Sequence, residues 1–255
     1  MIREITGAEF EAARAWLVRR GDQSVPTRLL AVRLGFRRIR KIGWVFGAAA
    51  VGALLGIAYA CLQYLPNVRG VEMTESKSVY FVTGAVVVGG WLSIRAQERP
   101  LRRLPAPVGT RRPSWSQELG GWYLASLLIT FGGGAALAAA MYFTTPAQTY
   151  AWSWLGALGW AALCTAVVLV GIWRAPVIAE DAASASADTM LRIEDSFLVL
   201  PGGFAPLVLI DLVTTHRQPP EFTWWLVAYA ALAIATTVVS GIKHRYRLFT
   251  PNGRI

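Results

Sequence analysis

The sequence predicts an all-α polytopic membrane protein: about six transmembrane helices, five clear and one broken at Pro201–Pro206, arranged as three helical hairpins behind N-terminal cytoplasmic amphipathic helices. Three observations lead to this fold class. Charged residues make up only 16% of the 255 and are absent from several long runs, whereas a soluble domain carries about 25%. Tryptophans gather near the ends of those runs. Arginine and lysine alternate between abundance and scarcity from one connecting segment to the next.

The uncharged runs define the crossings. They cover 42–68, 78–94, 119–173 and 222–242. A bilayer core about 30 Å thick needs roughly 20 residues of helix at about 1.5 Å each. The run at 119–173 is long enough for two passes and contains a polar turn with a helix breaker, Thr144-Thr145-Pro146-Ala147. Five clear spans follow: 43–64, 78–94, 121–143, 151–173 and 223–242. Eight of the eleven tryptophans (Trp44, Trp91, Trp122, Trp152, Trp154, Trp173, Trp224 and Trp225) lie near a span end. There an indole keeps its ring in apolar surroundings and its N–H near the headgroups.

Charge sets orientation, because loops rich in Arg and Lys stay on the cytoplasmic side. Residues 1–42 hold ten basic side chains, the next loop two, the loop after the second span six, and the turn at 144–150 none. The tail's four cations return to the inner side only if 196–215 also crosses. Basic residues then divide 22 inside against 3 outside, compared with 19 and 6 if it does not. This segment carries Pro201-Gly202-Gly203 and Pro206, so it reads as a broken crossing, with a re-entrant or interfacial piece as the alternative. Three similar return ends, Gly90-Trp91, Gly171-Ile172-Trp173 and Gly241-Ile242, fit convergence on membrane-exit chemistry better than triplication.

The chain then divides into cytoplasmic basic amphipathic helices at 1–42, a four-helix membrane region at 43–173 with a basic loop at 95–120, and an acidic cytoplasmic loop at 174–195. The broken crossing and final helix at 196–242 and a basic tail at 243–255 complete it. In the first segment Thr6 and Glu9 have capping-box spacing, and Phe10, Ala13, Trp16 and Leu17 share a face. In the stretch at 27–41, Arg28, Arg33, Arg37, Arg38, Arg40 and Lys41 surround apolar residues, the pattern of a helix lying on anionic inner-leaflet lipids. Nucleic acid is the disfavoured partner for this charge. The acids of 174–195 read as a solvated loop that moderates the basic surface, with Asp188 a candidate helix cap. A salt-bridged cluster with the basic segments, or a docking platform for a cytoplasmic protein, is the alternative.

Chemistry-bearing motifs are missing. His216 and His244 fall on opposite sides and cannot share a metal, and Cys61 and Cys164 sit near opposite ends of their spans. Phosphate-loop, dinucleotide and zinc-hydrolase patterns are absent. No catalytic, cofactor-binding or metal-binding residue is assigned, so an enzyme is not expected. Asp211 is the only charge inside any span and follows a broken backbone, which makes it the candidate intramembrane polar site. Its closeness to the outer interface argues for easy access to water instead.

Two functional classes remain. The first is a non-enzymatic scaffold or regulatory membrane module. The second is a permease subunit: six crossings with both ends inside resemble, in architecture only, permeases of ATP-driven exporters whose ATPase is a separate chain. A dry bundle favours the first and a polar lumen the second. The expected setting is a plasma membrane with both termini cytoplasmic, and Arg outnumbering Lys 22 to 3 points to a GC-rich bacterial genome. No cleavable signal is read, since the first apolar run begins after residue 41 and is long.

Overall fold

In the computed structural model, residues 6–20, 25–38, 42–64, 75–103, 119–214 and 217–249 are described. Among them the chain forms helices and turns, with no strand. We number the α-helices as α1 (Gly7–Val18), α2 (Arg28–Arg38), α3 (Ile42–Cys61), α4 (Glu75–Glu98), α5 (Gly121–Thr144), α6 (Gln148–Arg174), α7 (Ala182–Ser196), α8 (Val208–Thr214) and α9 (Thr223–Phe249). Six stretches are long and apolar enough to cross a membrane, among them 184–214, which contains the broken segment. The chain is thus a multi-pass, all-α membrane protein.

Helix α6 is the centre of the bundle. It runs 27 residues, about 40 Å of helix, and packs against α4 on one side and α5 on the other. Its face Trp154, Ala157, Leu158 and Ala161 is fully buried with Tyr80, Met141, Phe204 and Ala233. Alternating alanines with aromatic rings brings the backbones close, which matters where lipid supplies no hydrophobic drive for association. α3 packs on α4 through small residues: a Cβ on Gly89 would stand 2.3 Å from the Ala48 Cβ, and one on Gly52 would stand 2.7 Å from the Phe81 carbonyl. The rest of α3 is open to lipid, with 11% of its span buried against 39% for α4 and α6.

The tryptophans divide into two groups. Trp44, Trp122, Trp152, Trp173, Trp224 and Trp225 are exposed, as a headgroup belt requires. Trp91 and Trp154 belong to the core instead. The indole of Trp154 is fully enclosed because its N–H has an internal acceptor, the Tyr80 hydroxyl at 3.2 Å.

The fifth crossing is real in its path. Val199 packs with Trp91 and Ile172 at one end of the bundle, and Asp211 bonds Ser76, in the first turn of α4, at the other. Between them lie two 3₁₀ turns, Pro201–Gly203 and Ala205–Leu207. Prolines at 201 and 206 remove donors that an α-helix would need, and the tighter 3₁₀ winding covers more length per residue. Side chains from neighbouring helices satisfy the exposed backbone. The Tyr123 hydroxyl donates to the carbonyls of Ser196 (2.9 Å) and Val199 (2.8 Å), and the Gly202 N–H donates to the Thr237 hydroxyl (3.1 Å). In α5 a π-helical turn at Leu128–Gly133 leaves the Thr130 carbonyl to accept from the Tyr229 hydroxyl at 2.7 Å. Each device meets the same demand, since lipid offers no partner to an unpaired N–H or C=O.

Gly202 and Gly203 make a direct test of this packing. A Cβ at 202 would lie 2.2 Å from the Ala233 carbonyl, whereas at 203 the nearest atom is 3.8 Å away. Gly202→Ala is expected to cost about 1–3 kcal/mol by overpacking and to lower the melting temperature of the detergent-solubilised protein by several degrees. Gly203→Ala should melt within a degree or so of wild type. Equal melting of the two variants would contradict the described approach of the fifth crossing to α9.

Candidate functional site: a buried charge network

At the end of the bundle where α4 and α6 terminate, the N-terminal helices fold back onto the membrane helices. Thr6 caps α1 through the capping box with Glu9. Ala13 and Leu17 of α1 pack with Leu30 and Ala31 of α2 and with Ala187 and Leu191 of α7. On its other side α2 buries Leu29 and Val32 against Leu101 and Ile178. The apolar face of α2 is therefore covered by protein, not laid on a lipid surface.

The acidic segment is a helix, not a solvated loop. Asp181 is its N-cap: its carboxylate accepts from the Ser184 N–H at 2.7 Å, and the Ser184 hydroxyl accepts from the Asp181 N–H at 2.9 Å. Asp188, the cap candidate from sequence, lies inside the helix and is 2% exposed. It is there because the helix turns Asp188, Arg192 and Asp195 inward together, at the i, i+4 and i+7 spacing of one face.

These residues meet Arg33, Arg37 and Glu98 in a water-excluded network. Glu98 accepts from Arg33 Nε at 2.7 Å and from Arg37 Nε at 2.8 Å. Arg37 grips Asp195 with both terminal nitrogens at 2.8 Å, the planar two-point geometry that suits guanidinium and carboxylate. Asp188 joins Arg33 on one oxygen and Arg192 Nε on the other, the latter at 2.7 Å. Arg192 also reaches out of the network, donating to the carbonyls of Ile172 (3.0 Å), Ala175 (3.0 Å) and Pro176 (2.7 Å). Those carbonyls lie in the last turn of α6 and just past its end, where helix carbonyls run short of N–H donors. Three guanidiniums thus face three carboxylates, with Arg102 at the edge (3.5 Å from Glu98) and Arg20 paired with Glu194 beside it. Burial alone would lower the Arg33 pKa. The carboxylates of Glu98 and Asp188 outweigh it and hold that pKa above its ordinary value.

Of the sequence-assigned surface cations, Arg33 and Arg37 are therefore internal, and Arg28 is exposed. The Arg38 side chain, Arg40 and Lys41 lie outside the described residues, as do His216 and the side chain of His244. Asp211 is fully buried despite its position near a helix end, so its depth in the sequence does not give it water. Its carboxylate accepts from Ser76 Oγ at 2.6 Å. Next along the chain, Lys77, one of the two basic residues counted in the loop after the first span, lies in α4 with its Nζ 4.3 Å from the Tyr150 ring centroid and no exposed surface. A lysine set directly against the apolar run that follows it was the one available signal. Among the described residues no group of three His, Cys, Asp or Glu side chains could hold a metal.

No family model, curated protein or solved structure matches this chain.

Removing one partner from a dry network leaves the others charged and unmatched. Glu98→Ala is expected to cost about 3–5 kcal/mol, since it leaves Arg33, Arg37 and Arg192 to share two carboxylates, whereas Arg102→Ala at the rim should cost about 1 kcal/mol or less. Limited proteolysis between α2 and α3 checks this: the Glu98 variant should be cut much faster than wild type and the Arg102 variant at nearly the wild-type rate.

Proposed function

We propose that the chain is a non-enzymatic membrane module that holds a rigid, basic, cytoplasmic face against a membrane bundle, acting as a scaffold or regulator. The observation that carries this reading is where the polar groups go. At membrane depth Tyr123, Trp154, Trp160, Thr237 and Tyr229 all bond to neighbouring helices. At the inner end the ionic side chains bond one another. Polar groups engaged in this way brace the bundle and are not available to line a water-filled path. What the lobe presents outward is mixed with a cationic excess: Arg14, Arg19, Arg28, Arg99 and Arg174 are exposed, with the acids Glu11, Glu180 and Asp181. That surface suits anionic inner-leaflet lipids or an acidic cytoplasmic protein. In this reading both termini are cytoplasmic, in a bacterial plasma membrane.

A permease subunit, coupled to a separate ATPase, is the second reading. It draws on the broken fifth crossing and on the enclosed Asp211 and Lys77 beyond it, a combination that transporters place at binding sites.

Cysteine accessibility separates the two. In a background lacking Cys61 and Cys164, cysteines at Phe204, Leu207 and Glu221 are exposed in intact cells to a membrane-impermeant maleimide. The scaffold reading expects labelling at 221 only, with none at 204 or 207 until the protein is denatured. Labelling at 204 or 207 in the native state would overturn it in favour of a conducting pathway, and a protected 221 would overturn the topology.

A further inference from the structure

Where α4 ends, the chain sets three charges close together. Arg95 and Glu98 are in its last turn, and Arg102 follows in the 3₁₀ turn Leu101–Arg103. With Arg33, Arg192 and Asp195 they line a small cavity of about 20 Å³ at the edge of the charge network. That is room for one water-sized body, for which roughly 10–15 Å³ suffices. It is too small for the four oxygens of a phosphate.

The charge around this cavity does not balance. Four guanidiniums line it and only two carboxylates. Both carboxylates are occupied: Asp195 holds Arg37 through its two oxygens, and Glu98 Oε1 accepts from Nε of both Arg33 and Arg37. Asp188, outside the lining, pairs with Arg33 and Arg192. These six ions are neutral as a group, and Arg95 and Arg102 are the surplus. Arg95 lies over the Trp91 ring, 5.1 Å from its centroid, with no carboxylate partner among the described residues. Arg102 comes no nearer than 3.5 Å to Glu98 Oε2. Its Nε and Nη1 are enclosed and have no hydrogen-bond partner among the described residues, a costly state for guanidinium donors. Burial holds the Arg102 pKa below its ordinary value. Glu98 opposes that shift, while Arg95, Arg33 and Arg192 add to it.

We infer that one small inorganic anion of chloride size occupies this cavity, held by Arg95 and Arg102, and completes the charge balance where α4 meets the folded lobe. A water would fill the space but leave the two cations unmatched. The site does not depend on whether the bundle is a scaffold or a permease, because none of its residues belongs to the broken segment at 201–206.

Thermal melting of the full chain in a neutral detergent tests this. The protein is prepared in sodium gluconate, whose anion is too large for the cavity. Chloride then replaces gluconate at constant ionic strength, so that general screening is unchanged. The wild-type melting temperature should rise by about 2–4 °C and level off, as for a ligand that binds only the folded state. Arg95→Gln and Arg102→Gln should each remove most of that rise. Arg99→Gln, at an exposed arginine outside the cavity, should keep it. Crystals grown in sodium bromide give a reading that needs no variant: an anomalous peak should lie beside Arg95 and Arg102. No saturable rise in wild type, an undiminished rise in both cavity variants, or no bromide in the cavity would each overturn the inference. A bromide peak there without chloride-dependent melting would mark an adventitious ion only and overturn it as well.

Discussion

The arrangement of this protein depends on a neutral charge network that has been closed to water. Glu98, Asp188 and Asp195 balance Arg33, Arg37 and Arg192, with each side chain no more than 13% exposed. Isolated, any one of these ions would cost several kcal/mol to bury. Together they form a joint that only one relative placement of α2, α4 and α7 satisfies. Hydrophobic contact between α1, α2 and α7 is non-directional and would tolerate sliding. The bidentate Arg37–Asp195 pair and the shared Glu98 carboxylate would not.

A second consequence concerns α6. Its C-terminal carbonyls accept from Arg192, whose Nε is held by Asp188. Pro176 stops the central membrane helix by holding Ala175 extended, and the same arginine caps that end and anchors the folded lobe.

Elsewhere in the bundle the governing demand is backbone satisfaction. Pro201 and Pro206 would be costly in a lipid-facing helix. They are accommodated because Tyr123 and Thr237 come from helices on either side to meet the freed groups. The π-helical turn in α5 has the same logic, with Tyr229 as the donor. Irregular backbone at membrane depth is therefore braced by hydroxyls from neighbouring helices.

Run length, tryptophan placement and basic-residue asymmetry were enough to read six crossings, the break in the fifth and the capping box at Thr6, because each depends on local sequence and on the thickness of the bilayer. The acidic segment reads as a loop in the sequence because its eight small or polar residues hide a helix whose stability comes from buried partners. The inward turn of Arg33 and Arg37 was equally hidden: their carboxylates stand 61 to 158 positions away in the chain. Trp91 and Trp154 look like belt residues by position, and only the Tyr80 hydroxyl and the neighbouring helices make them core. The chain by itself thus determined how many times it crosses, since desolvating a helix is a property of that helix. Which charges neutralise one another was decided by tertiary structure, because electrostatic pairing in a buried site depends on distance in space and is blind to distance in sequence.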